Sequence, residues 1–303
     1  MQTADKPYTL KGVDYEFLLL VKEYHYITAA QIVRLRYKAG SLSSVQVRLK
    51  NLFEVGYLLR RARPDDKPGS PEYIYSLSMK GYRVVQELGC AIPSRVRKSE
   101  FQARTYFHLD HLLEVNDVLI AARLLPGLAP QIALQEFRHD LDLHKTPLVV
   151  SYDARTHARK HERERTTIIP DGWLDFRYTI PQGKTKRRCL VLELDRGTED
   201  MKTTKQKLRA YTHCAVSEEY VTIFGTDVIV VVYLATEKQR AVQLREWCEQ
   251  ELTLQGETEE ADLFRFASLP PAPLDPLTLF CQDICRIPFE ETPTSLLWPI
   301  TNN

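Results

Sequence analysis

Two short stretches carry the residues best suited to chemistry. One is Ile169-Pro170-Asp171-Gly172-Trp173-Leu174-Asp175, and the other is Leu190-Val191-Leu192-Glu193-Leu194-Asp195-Arg196-Gly197-Thr198. Side chains alternate across a strand, so Glu193 and Asp195 share one face at the end of an otherwise apolar strand. Asp171 stands at the start of the preceding strand, ahead of a basic turn with Lys184, Lys186, Arg187 and Arg188. If the two strands pair as a hairpin, Asp171 comes beside Glu193. Three carboxylates at one sheet edge repel one another unless a cation neutralises them. A hard, oxygen-liganded ion such as Mg²⁺ meets that need, and it can polarise a phosphodiester and acidify a bound water. Asp171, Glu193 and Asp195 are therefore the expected metal ligands and catalytic carboxylates.

Each of these residues also has a quieter use. Pro170, Asp171 and Gly172 are all turn formers. Asp195 could pair with Arg196, and Glu193 with a hairpin arginine. Gly197-Thr198-Glu199 reads as a helix start with Thr198 as its cap. The functional reading rests on their joint order, not on any one of them.

The elements that must position the carboxylates lie between residues 106 and 256. Apolar spacing predicts a helix over 106–125, ended by Pro126-Gly127, and a helix over 198–215. Strands are predicted at 132–137, 147–152, 173–180, 189–194 and 228–234, and a last helix at 237–254. That order describes an α/β domain with helices covering a mixed central sheet. Glu114 and Glu136 are further candidates for the carboxylate cluster, although Glu136 can equally pair with Arg138. The run 155–165 mixes five Arg and Lys with two Glu, and reads first as a solvated loop and second as a phosphate-contacting arm. Residues 257–303 are acidic and contain Pro270, Pro271, Pro273 and Pro276, and no elements are assigned there.

The head of the chain has a different character. Helices are predicted over 13–24, 29–37 and 41–54, then strands at 57–63 and 73–77 around a turn-rich tip at 64–71, then a helix from 78. Three helices, a hairpin and a helix is the order of a winged helix-turn-helix, so the whole chain is expected to be α+β. The third helix would offer Ser44, Gln46, Arg48, Lys50 and Asn51 to a DNA groove, while Arg60, Arg61 and Arg63 on the hairpin would touch phosphate. The bland alternative is a helical protein-interaction or dimerisation module. The expected division is 1–92 for this DNA-binding domain, 93–105 for a basic linker, 106–256 for the α/β domain and 257–303 for the extension.

Charge follows the same division. The whole chain of 303 residues has a formal charge of +1. Residues 1–105 hold 18 Lys and Arg against 10 Asp and Glu, an excess of +8, whereas 246–303 hold 2 against 11. The near-neutral total therefore does not argue against a nucleic-acid partner. Hydrophobic residues at 44% and charged residues at 27% exclude collagen-like, mucin-like and wholly disordered classes. The longest apolar run, 228–235, is too short to span a bilayer, and the N-terminal stretch lacks a signal-peptide core. Six cysteines without a CxxC pair suggest reduced, packed thiols in a cytosolic protein. No phosphate-binding glycine loop, GxSxG or HExxH occurs.

Pro170-Asp171 followed by Glu193-Leu194-Asp195 resembles a variant of the PD-(D/E)XK nuclease core. More narrowly, the chain resembles the replication-relaxation family of plasmid and mobile-element proteins. The resemblance rests on the winged-helix-like head, His111-Leu112-Leu113-Glu114-Val115-Asn116-Asp117, Pro170-Asp171-Gly172, Glu193 to Thr198, and Lys207 with Tyr211. It implies a DNA-binding head on a nuclease-like domain, with a role in plasmid replication initiation or DNA relaxation. The superfamily pattern would place a lysine where Asp195 stands, and Lys202, Lys205 or Lys207 from the next helix could replace it. Helix rise favours Lys202 or Lys205; the resemblance favours Lys207. The expected partner is double-stranded DNA, with a homodimer or replication and mobilisation proteins as further partners and no membrane. The rival expectation is a non-catalytic DNA-binding regulator or replication accessory factor built on a degenerate nuclease-like domain, which would need no Mg²⁺.

Overall fold

The computed structural model describes residues 8–38, 40–63, 72–91, 98–155, 161–180, 183–215 and 217–297. The predicted hairpin tip at 64–71, most of the linker's first half and the centre of the 155–165 run lie outside them. The chain divides into two compact units, Met1–Asn116 and Asp117–Asn303.

The first unit contains α1 (Gly12–Tyr24), β1 (Ile27–Thr28), α2 (Ala29–Arg36), α3 (Leu42–Glu54), β2 (Leu58–Ala62), β3 (Tyr73–Leu77), α4 (Met79–Glu87), α5 (Lys98–Ala103) and the start of α6 (Tyr106–Leu128). Its core is the stripe expected from helical spacing: Phe17, Leu18 and Val21 of α1, Ile32 of α2, and Val45, Leu49 and Leu52 of α3 are all buried. Thr28 and Gln31 form a reciprocal cap for α2, each side chain accepting from the other's backbone N–H at 3.3 and 3.2 Å. The hairpin β2–β3 is antiparallel, and β1 adds to the other edge of β3. The stretch expected to be a linker contains α5.

The second unit holds the rest of α6, then β4 (Ile132–His139), α7 (Asp140–Leu143), β5 (Leu148–Arg155), β6 (His161–Ile168), β7 (Gly172–Thr179), β8 (Thr185–Asp195), α8 (Met201–Cys214), α9 (Glu218–Phe224), β9 (Val230–Ala235), α10 (Lys238–Gln255), a short 3-10 helix (Thr258–Leu263), β10 (Phe264–Ser268) and α11 (Pro276–Cys281). Its sheet runs β10-β9-β8-β7-β4. β4, β7 and β8 are antiparallel, whereas β9 and β10 continue parallel to β8. One face buries Trp173, Val191, Tyr233 and Phe266 with Leu208 and Tyr211 of α8 and Leu244 and Cys248 of α10. On the other face Phe280 of α11 lies 5.4 Å from Phe176, ring to ring.

Four features differ from the sequence expectation. Pro126 sits inside the last turn of α6 instead of ending it; a proline there forfeits only the one bond its missing N–H would make. α8 begins at Met201 with Asp200 as its cap, not Thr198, because Gly197 adopts a positive φ of 80° and lengthens the turn. The described ends of the run 155–165 are strand, Arg155 closing β5 and residues 161–165 opening its antiparallel partner β6. The tail supplies β10, whose partner β9 is about 30 residues away across α10 and so leaves no local signal. Among the described residues no helix is long and apolar enough to cross a membrane.

Candidate functional site

The site is built at the ends of β7 and β8. Their register begins with Gly172 opposite Leu192, and Asp171 lies just outside the ladder, where its N–H donates to the Leu192 carbonyl at 2.9 Å. The Asp171 carboxylate accepts from the Leu194 N–H at 2.6 Å, which holds it against the end of β8. Gly172 is not a turn glycine here. A Cβ at that position would meet Leu192 Cδ1 at 3.2 Å and Leu119 Cδ2 at 3.5 Å. The glycine leaves room for the Leu192 side chain where Asp171 enters the sheet.

Glu193 is buried, and both of its oxygens are engaged. Oε2 accepts from Lys207 Nζ at 2.9 Å, and Oε1 accepts from the Tyr211 hydroxyl. Lys207 also donates to Glu199 Oε1 at 2.5 Å. Thr204, Lys207, Leu208 and Tyr211 are spaced i, i+3, i+4 and i+7, so they form the stripe of α8 turned to the sheet. Burial, together with the negative charges of Asp171 and Glu199, pushes the Glu193 carboxyl up to about 7, against the pull of Lys207 and Tyr211. Burial alone would lower Lys207, but Glu193, Glu199 and Asp171 together push it up and keep it charged. Burial and the Glu193 charge raise Tyr211 well above its ordinary value, so its hydroxyl remains a donor.

Of the three candidate lysines, Lys207 is the one at Glu193. Its helix starts later than the sequence suggested, so Lys207 lies six residues beyond Met201, roughly 9 Å at 1.5 Å per residue. Lys205 points away and donates to Gln250 at 2.9 Å. Lys202 is exposed near the helix start. Asp195 is held apart from the other two carboxylates' partners: Arg240 of α10 grips it through two bonds of 2.9 and 3.0 Å, and the Gly197 N–H adds a third. Arg240 and Glu199 carried no local signal, since each arrives from a loop or a later helix. Glu136 pairs with Arg138 at 2.7 Å, the quieter of its two expected uses. Asn116 donates to the Tyr24 and Tyr26 carbonyls, a packing role in the first unit. Asp175, two strand positions beyond Trp173, is closed by a two-bond pair with Arg187 at 2.9 and 3.0 Å.

For a divalent ion the donor set fits as a pair. Magnesium is commonly held by one or two carboxylates plus substrate phosphates. Asp171, held on the Leu194 N–H, lies close enough to act on the Glu193 charge, and each Glu193 oxygen has used one of its two lone pairs. Asp195 is spoken for by Arg240. Among the described residues no group of three or more His, Cys, Asp or Glu side chains is arranged to hold a metal ion.

In the head, Ser44, Gln46, Lys50 and Asn51 are exposed along α3, with Val47 between them. Arg48 is not part of that face. It pairs with the fully buried Asp14 at 2.7 Å. The hairpin arginines are likewise engaged. Arg60 lies between the Phe53 and Tyr73 rings, 4.2 Å from each centroid. Arg61 stacks on Tyr106 and donates to the Phe101 and Arg104 carbonyls, and Arg63 pairs with Glu72 and Asp110 at 3.1 and 2.9 Å.

Neither a curated protein nor a solved structure matches this chain. A family model described as Replication-relaxation matches residues 18–222. The match runs from the buried face of α1 through the carboxylates of β7 and β8 to Lys207 and Tyr211, well over half of the sequence, and the chain belongs to the replication-relaxation family.

Proposed function

We propose that this protein binds double-stranded DNA through its head and acts on it in plasmid or mobile-element replication or relaxation, nicking one strand at Asp171, Glu193 and Lys207. The observation that carries the catalytic part is the Lys207 amine at 2.9 Å from Glu193, with Asp171 beside the end of β8 and its charge acting on both. It supplies from α8 the cation missing where Asp195 stands. The order of α6, three antiparallel strands, α8 and a parallel β9 supports a nuclease-like reading of the second unit. The order α1 to α4 with the β2–β3 hairpin supports a winged helix in the first, with α3 as the groove helix.

In this reading Asp171 and Glu193 would hold Mg²⁺, which would supply positive charge to a phosphodiester oxygen. Lys207 stabilises negative charge as it develops on the phosphate. Tyr211 holds the Glu193 carboxylate in place, and Glu199 holds the Lys207 amine. Asp195 acts only as the anchor for Arg240.

Supercoiled plasmid with Mg²⁺ tests this directly. Wild type and Lys205→Met should convert it to the open circle, while Asp171→Asn and Lys207→Met should be slower by at least ~100-fold. Equal conversion by all four, or none by wild type, would remove the catalytic assignment. The second reading, a non-catalytic DNA-binding regulator, is favoured by the Asp195–Arg240 pair at the position where the superfamily pattern has lysine. DNA binding by wild type without any conversion is its signature.

A further inference from the structure

At the outer edge of the second unit's sheet, the chain after α11 runs back along β10 for a single step. The Phe266 N–H donates to the Arg286 carbonyl at 2.9 Å, and the Arg286 N–H donates back at 2.8 Å. Two residues further along β10 the antiparallel partner would be Ile284, but the pairing stops at that one bridge. The Ile284 N–H turns instead to the Gln282 carbonyl at 2.9 Å. Ser268 and Ile284 therefore part, and both line a cavity of about 430 Å³. That volume falls within the ~300–1,000 Å³ of ordinary small-molecule clefts. Alternate residues of a parallel strand bond to the same side, so Ser268 turns its N–H and carbonyl to the edge that Phe266 uses. Helix α10 closes the other side with Lys238, Ala241, Val242 and Arg245, spaced i, i+3, i+4 and i+7 on one stripe.

Lys207, Arg209 and Arg240 are each closed by a carboxylate. The cations of the cavity are not. Among the described residues neither Lys238 nor Arg286 has a carboxylate within ion-pair distance, and Arg286 bonds only through its backbone. Arg245 donates to the Glu290 carbonyl at 3.1 Å, but its Nε is buried without a hydrogen-bond acceptor. Two carboxylates also line the cavity, Asp283 and Glu291; both are exposed, and the nearer to a cation is Glu291, 3.8 Å from Arg245. Val242 is 42% exposed on this stripe and gives an apolar wall with Ile284. We propose that the cavity binds a phosphomonoester, its phosphate meeting Lys238, Arg286 and the Ser268 N–H and its apolar body lying on Val242 and Ile284. Two unpaired cations with a backbone donor suit a doubly charged group with three acceptor oxygens better than a singly charged carboxylate. The same chemistry belongs to a free nucleotide and to the 5′ end of a DNA strand. The site is separate from the Asp171–Glu193 pair and does not depend on its reading: Arg240, which grips Asp195, lies on the opposite side of α10 from Lys238.

The test is calorimetric titration of the full chain, without Mg²⁺, against two pairs of probes. One pair is deoxyadenosine 5′-monophosphate and deoxyadenosine; the other is a short single strand carrying or lacking a 5′-phosphate. In at least one pair, wild type should bind the phosphorylated member at least ~10-fold more tightly. A preference within the first pair alone assigns a free ligand, and one within the second assigns a strand end; either supports the site. Lys238→Gln with Arg286→Gln should abolish the preference. Val242→Trp, which fills the cavity and removes no charge, should weaken the phosphorylated probe by at least ~10-fold. Both substitutions are at side chains outside the core, so the thermal midpoint of the ligand-free protein should stay in place. No phosphate preference in wild type overturns the proposal, and so does a preference that survives unchanged in either variant.

Discussion

Three carboxylates, Asp171, Glu193 and Glu199, surround one ammonium group at Lys207. Burial first, and then the charges of Asp171 and Glu199 that one cation cannot offset, push the Glu193 carboxyl up to about 7. The folded chain therefore holds this proton to higher pH than the unfolded chain, whose carboxyl titrates near the ordinary 4.5. The stabilisation is complete below that ordinary value and is lost as pH rises through 7. Glu193→Gln removes the ionisation while keeping a side chain of the same shape. Urea denaturation between about pH 5 and pH 8 should show the wild type losing roughly 2 to 3 kcal/mol more than the variant. Equal losses would mean that Glu193 ionises in the fold as it does in water.

At the scale of elements, α3 shows how one helix divides its polar residues between structure and surface. Arg48 faces inward to Asp14, while Ser44, Gln46, Lys50 and Asn51 face out. Removing one partner of a buried pair strands the other, whereas an exposed lysine near Glu54 contributes little to stability. Arg48→Ala should therefore destabilise the head by about 2 kcal/mol or more. Lys50→Ala should change stability by less than about 0.5 kcal/mol but lower the DNA salt slope by about 0.9. Thermal denaturation and duplex titration separate the two. A loss of slope without a loss of stability in Arg48→Ala would return that arginine to the groove face. The hairpin arginines follow the same division: Arg60, Arg61 and Arg63 are bound within the first unit by rings, carbonyls and carboxylates, so the basic wing of the sequence is largely a docking surface for its own neighbours.

At the scale of the molecule, the acidic tail is part of the second unit's sheet. β10 pairs along its whole length with β9, and Phe264 and Phe266 pack in the core beside Tyr233, whose ring is 5.3 Å from Phe266. Arg286 closes the outer edge by pairing with Phe266, and Phe280 covers Phe176 on the opposite face. Ending the chain at Gly256 would uncover this apolar surface and leave β9 as a bare, fully apolar edge. Such a truncation should aggregate or lose its cooperative unfolding transition, measured by calorimetry. A soluble product with an unchanged transition would show that the tail is dispensable.

The sequence by itself determined what is local. The periods of α1 to α4 and β7 to β8, the Thr28 cap, and the shared face of Glu193 and Asp195 all follow from spacing within one element, and the family resemblance follows from motif order. The approach of Asp171 to Glu193 was legible for the same reason, because a hairpin joins neighbours in the chain. The residues that neutralise each carboxylate were not legible. Lys207 rather than Lys205 depends on where a loop hands over to α8, and Arg240 reaches Asp195 from a helix 45 residues further along the chain. Only the fold brings those charges within a few ångströms, where low dielectric makes their arrangement decisive.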